Sequence, residues 1–185
     1  MPFDHFAAIA PIYARVSYSK RHIMREVASL PVNGRLLDVG GGTGRVSSVI
    51  RDLVNEVVIA DVSMGMLKET LHTPLKPVCG GSESLPFADE SFERVIMVDA
   101  LHHVINHAES AREMFRVLKT GGVLVIEEPD IRTFGVKLIA LAEKLLLMRS
   151  HFLAPDQIMK LFSSFASGEK KIRAEDETAW VVIKK

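Results

Sequence analysis

The chain has 185 residues, 48% of them hydrophobic and 25% charged, with 23 basic and 23 acidic side chains in balance. That length suits one domain with a sizeable core, and the even charge excludes the basic excess of a nucleic-acid footprint and the composition of a disordered chain. The single cysteine, Cys79, excludes an internal disulfide and a multi-cysteine metal site and suits a reducing, cytoplasmic setting.

In chain order, residues 1–30 read as a helical cap without the basic-then-apolar order of a signal peptide. Short β-rich runs follow at 35–39, 56–61, 77–79, 94–100 and 122–128. They are nearly continuous in Val, Ile and Leu, which suits strands buried on both faces of a parallel sheet. Helical candidates lie between and after them at 43–53, 64–71, 104–118 and 136–149. This alternation predicts a doubly wound α/β domain. Gly121-Gly122 reads as a helix end turning into a strand.

The helix at 136–149, "VKLIALAEKLLLMR", carries Lys137, Glu143 and Lys144 and is too short and too charged to span a bilayer. It is so apolar that it should bury more than one face: on the sheet, over an acceptor pocket, or in a homodimer contact. Pro155-Asp156 suit the start of another helix. Runs at 169–173 and 178–184 are close enough to predict an antiparallel hairpin at the sheet edge. The expected organisation is one domain over 1–185, with a cap (1–30), a ligand-binding core (35–128), a helical lid or acceptor region (129–168) and the hairpin (169–185).

The first strand runs straight into "LLDVGGGTGRV", on the first βα loop, where ligands of open α/β sheets bind. A phosphate-binding P-loop needs Gly-Lys, and the chain has no such pair. The dinucleotide fingerprint needs a third glycine or alanine; started at Gly40 it meets Arg45, and started at Gly42 it meets Ser47. What stands here is Asp38-x-Gly40-x-Gly42-x-Gly44. This is similar to the first motif of class I S-adenosylmethionine (SAM) methyltransferases, whose ligand is cationic at sulfur and at its ammonium, so that a carboxylate such as Asp38 is well placed.

One βα unit further on, Asp61 ends "VVIAD", where an acid can accept from both ribose hydroxyls. The stretch "GGSESLPFADESFERVIMVDALHHV" then resembles, in Leu85-Pro86-Phe87, Ser91-Phe92 and Leu101-His102-His103-Val104, the methyltransferases grouped with ubiquinone/menaquinone biosynthesis. The resemblance covers about 35–129 and implies a seven-stranded, mostly parallel Rossmann-like methyltransferase fold with SAM as cofactor. The acceptor is expected to be a small molecule, with a lipophilic ring under the helix at 136–149 among the candidates; the charge balance argues against a nucleic-acid partner, and no stretch reads as an integral membrane anchor.

The family's usual acid for the adenine amino group is Gly81 here. Either Ser82 or Glu83 substitutes, or the adenine is held mainly by main chain and by apolar contacts from Val62 and Leu85. The resemblance places Asp99 beside the sulfonium end and brings Tyr13 of the leading helix toward the SAM carboxylate. His102 is the candidate general base, since imidazole titrates near neutrality, with His103 second to it. His103 and His107 do not make a metal site: Val104 stands where a zinc helix carries Glu, and a third ligand is lacking. Two rival readings remain: a non-catalytic scaffold on the SAM fold, favoured by Gly81, and an NAD(P)-dependent oxidoreductase, opposed by the failed third glycine.

Overall fold

The computed structural model describes residues 7, 10, 11, 14, 15, 17–145 and 150–185. Helix α1 (Arg21–Val27) precedes strand β1 (Arg35–Val39), and α2 (Arg45–Ile50), β2 (Glu56–Asp61), α3 (Met64–Lys68) and β3 (Lys76–Cys79) follow. Then come β4 (Phe92–Val98), α4 (His107–Val117), β5 (Leu118–Pro129), α5 (Phe134–Leu145), α6 (Pro155–Lys160), β6 (Lys170–Glu175) and β7 (Thr178–Lys184). The seven strands form one sheet in the order β3-β2-β1-β4-β5-β7-β6. The first five are parallel, while β7 runs antiparallel to both β5 and β6. The expected α/β fold, including its closing hairpin, is what the chain adopts.

Side chains alternate across the strands, so Leu36 and Leu37 enter different cores. Leu37, Val58, Val95 and Leu124 face α4 and α6, where Met114, Ile158 and Phe162 are buried. Leu36, Val57, Ile59 and Ile96 face the other layer, with Met24, Ile50 and Leu67. Because β1 lies between β2 and β4, the chain leaves β1 toward one edge of the sheet and later returns to its other side. A crevice opens above this reversal, at the carboxyl ends of β1 and β4.

Several elements begin or end differently from the sequence expectation. β4 stops at Val98 rather than 100 because Asp99 takes a left-handed φ of 56°, which breaks the strand. The helix expected from 104 starts at His107, where Asn106 Oδ1 accepts from the Glu109 N–H at 3.1 Å; a 3₁₀ turn, Leu101–His103, occupies the space before it. β5 starts at Leu118, ahead of the two glycines.

The segment expected as a lid divides in two. α6 and Phe162 pack into the core under the sheet. In α5 Val136 is buried, while Phe134 is 77% exposed and Leu138 and Leu141 are both more than half exposed within the single chain. Among the described residues, no helix is long and apolar enough to cross a membrane.

Candidate functional site

A cavity of about 260 Å³ occupies the crevice, lined by the glycine loop, the ends of β2 and β4, and the loop after β3. The loop's shape follows from its composition. Gly44, at φ 75°, has no room for a side chain, since a Cβ would stand 2.6 Å from Leu75 Cδ1. Gly42, at φ 54°, turns its N–H to Asp61 Oδ2 at 2.9 Å, and a Cβ there would meet nothing closer than 3.8 Å. One glycine is thus needed for packing, and the other for a conformation that aims the main chain at an acid.

Of the residues expected to bind cofactor, Asp38, Gly40, Gly42, Asp61, Val62, Ser82, Glu83 and Asp99 all line this cavity. Gly44 instead packs beneath the loop, against Leu75 and Ile59. Leu85 is buried in the core, and its N–H donates to Glu113 Oε2 at 2.8 Å. Tyr13 lies outside the described residues.

The acids are held in distinct ways. Asp38 is 1% exposed, and its Oδ2 accepts from Ser47 Oγ at 2.6 Å. Burial pushes its carboxyl up to about 7, against the pull of the Ser47 hydrogen bond and with a further push from nearby Asp61. Asp61 is anchored by main chain, Oδ2 taking the Gly42 N–H and Oδ1 the Ser63 N–H at 2.8 Å. The Glu83 carboxylate turns back over Gly81, so that a Cβ at Gly81 would stand 3.3 Å from Glu83 Oε2. Ser82 Oγ lies 2.7 Å from Ser110 Oγ.

His102 does not line the cavity. Its ring is 4% exposed, stacked on Phe152 at 4.4 Å, with Nδ1 2.5 Å from Glu128 Oε2. Glu128 Oε1 accepts from the N–H groups of Ala100 and Leu101, at 2.8 and 2.7 Å. The His102–Glu128 pair therefore braces the turn that follows β4. The imidazole that reaches the cavity wall is His103.

A second cavity of about 290 Å³ adjoins the first, and Arg45, Val98 and Asp99 belong to both walls. Tyr18, Lys20, Glu127, Val136 and Ile139 are among its other residues.

Sequence reasoning passed over Thr43, Arg45, Glu127 and Glu128. For the two glutamates a signal was present, since adjacent acids at the end of an otherwise apolar strand are rarely buried without partners. Thr43 lay inside the quoted loop. It lines the first cavity, and its buried Oγ1 has no hydrogen-bond partner among the described residues.

An adenosyl donor fits these residues. The orphan Thr43 hydroxyl, the open face of Gly42 and a wall carrying Asp38, Asp61, Glu83 and Asp99 against one guanidinium suit a cationic ligand with hydroxyl and amino donors. They would repel a pyrophosphate.

Residues 37–126 match a family model described as a methyltransferase domain. The chain is 37% identical over 118 residues to a demethylmenaquinone methyltransferase of Renibacterium salmoninarum, covering 63% of this chain and 49% of that protein. It is also 37% identical over 114 residues to a ubiquinone/menaquinone biosynthesis C-methyltransferase of Proteus mirabilis, covering 56% of this chain and 45% of that protein. The chain spans about half the length of the curated relatives it matches. Among solved structures, a SAM-dependent methyltransferase of Thermotoga maritima superimposes with a TM-score of 0.80 at 22% identity, covering 97% of this chain and 98% of that one.

Proposed function

We propose that this chain, whose residues 37–126 match the methyltransferase-domain family, transfers a methyl group from SAM to a small-molecule acceptor. The relatives' names point to a ring compound of the quinone type. The apolar residues that α5 exposes next to the second cavity suit the apolar part of such a molecule.

When bound, SAM supplies a methyl group on sulfur with a neutral, intrinsically good leaving group, which leaves the protein the task of alignment. Asp38 is placed to hold the positive end, and Asp61, fixed at the cavity wall by the Gly42 and Ser63 N–H groups, is placed to accept from ribose hydroxyls. Glu83, lying where a side chain at Gly81 would project, takes the adenine amino group. In this reading Glu83 stands in for the acid whose absence at Gly81 favoured a non-catalytic scaffold. Asp99 and Arg45 stand at the junction with the second cavity. His102 is a positioning residue in this reading, acting through Glu128 on the Ala100–Leu101 turn.

The observation that carries the proposal is the convergence of Asp38, Asp61 and Glu83, remote in sequence, on one cavity over the strand reversal. Calorimetry with SAM, S-adenosylhomocysteine (SAH) and NADH tests it. Binding of the first two alone supports it, and binding of NADH alone, or of none of the three, overturns it. Methyl transfer to quinone-precursor analogues in preference to small polar acceptors supports the acceptor class, and the reverse preference ends it.

A further inference from the structure

The second cavity contains an acceptor atom that the fold leaves unused. Glu127 is 5% exposed, and its Oε2 accepts from Tyr18 Oη at 2.5 Å and from Trp180 Nε1 at 2.8 Å. Its Oε1 accepts no hydrogen bond among the described residues, although the side chain lines the cavity. Lys20, the nearest ammonium on that wall, is already engaged: Nζ donates to Thr178 Oγ1 and lies 5.2 Å from the centre of the Trp180 ring.

Burial pushes the Glu127 carboxyl up, while the Tyr18 and Trp180 hydrogen bonds pull it down. Oε1 opens onto the cavity, where a ligand N–H or O–H can replace water with a hydrogen bond to the carboxylate. Val136 and Ile139 provide an apolar flank, and the volume of 290 Å³ suits a ring-sized group rather than a long chain.

We propose that the second cavity receives the methyl acceptor and that Glu127 Oε1 selects it by accepting a hydrogen bond from its N–H or O–H group. The proposal rests on the methyl-transfer reading and deepens it. A pocket built around a hydrogen bond rejects analogues that lack the donor far more strongly than an apolar pocket rejects a missing methylene. Glu127 is in this sense a specificity-determining residue, and the relation of its cavity to the first, through Arg45, Val98 and Asp99, gives the acceptor access to the methyl group.

The test uses the full chain and ligand-observed NMR, with and without SAH. The probes are benzylamine and catechol, each paired with its donor-free counterpart, toluene or veratrole. The expected result is binding of at least one donor probe in preference to its counterpart. Benzylamine alone would assign an amine, and catechol alone a hydroxyl. In Glu127→Gln the amide oxygen stays with Tyr18 and Trp180, and the amide N–H then faces the cavity. The preferred probe should weaken about tenfold or more, with SAH affinity unchanged by calorimetry.

Ile139→Lys, at a position 47% exposed, sets an ammonium at the cavity wall. It should weaken the same probe even if Glu127→Gln fails to fold. Equal binding of donor and donor-free probes, or an unchanged preference in the folded variants, overturns the proposal. Loss of SAH binding by the unaltered chain would instead overturn the methyl-transfer reading, because the probe titrations without SAH report on the second cavity alone.

Discussion

Arg45 Nη2 stands 3.9 Å from Asp99 Oδ2, and both residues belong to the walls of both cavities. The Arg45 guanidinium also lies 5.8 Å from the centre of the Tyr18 ring, which joins it to the Glu127 cluster. At this separation, with Asp99 about a third exposed, the pair contributes less than about 1 kcal/mol to stability. Its consequence is positional, as a polar partition between the two cavities.

Asp99 holds φ at 56°, a conformation that Asn and Asp tolerate and branched residues resist. Asp99→Asn should stay within about 0.5 kcal/mol of the parent in urea unfolding, whereas Asp99→Val should lose about 1–2 kcal/mol more. Both remove the charge at the partition, so the stability difference between them reports the backbone alone.

The Asp38 carboxyl gives a pH signature. Its folded pKa of about 7 lies above the ordinary 3.8, so its contribution to stability is fully present below pH 3.8 and is lost as pH rises toward 7. The parent should lose up to about 4 kcal/mol relative to Asp38→Asn across this window without ligand. A ligand with a positive end favours the ionised carboxylate. SAH affinity should therefore tighten as pH rises to about 7 and then level off, and Asp38→Asn should abolish that slope in calorimetry.

Glu83 and Gly81 should behave as one unit. Glu83→Gln should weaken SAH about tenfold or more, the loss expected for a hydrogen bond to a charged group. Gly81→Asp alone should bring no gain, because its Cβ would stand 3.3 Å from Glu83 Oε2. In a Glu83→Ser background the same change should restore affinity.

Glu128 makes three hydrogen bonds, to the Ala100 and Leu101 N–H groups and to His102. Glu128→Ala strands these donors in a buried site and should cost about 3–5 kcal/mol of stability by urea unfolding. His102→Asn should cost less and leave SAH binding intact, since the ring does not line the first cavity. A large loss of SAH affinity in His102→Asn without a matching loss of stability would contradict the positioning role.

Much of the fold was legible from local pattern. β1, β2 and β7 run over the residues anticipated, because a strand buried on both faces must be apolar at nearly every position. The glycine loop and Asp61 were equally legible, since backbone that turns past φ 50° and a strand-end acid are requirements of one or two residues read in place. What no local pattern could specify was which of two adjacent histidines faces the cavity, that Glu83 would fold over Gly81, or that Glu127 would line the second cavity. Those outcomes depend on side chains from β4, β5, β7 and the residues before α1 meeting in space. Burial and hydrogen-bond pairing between segments as far apart as Tyr18, Glu127 and Trp180 are decided only when the sheet closes.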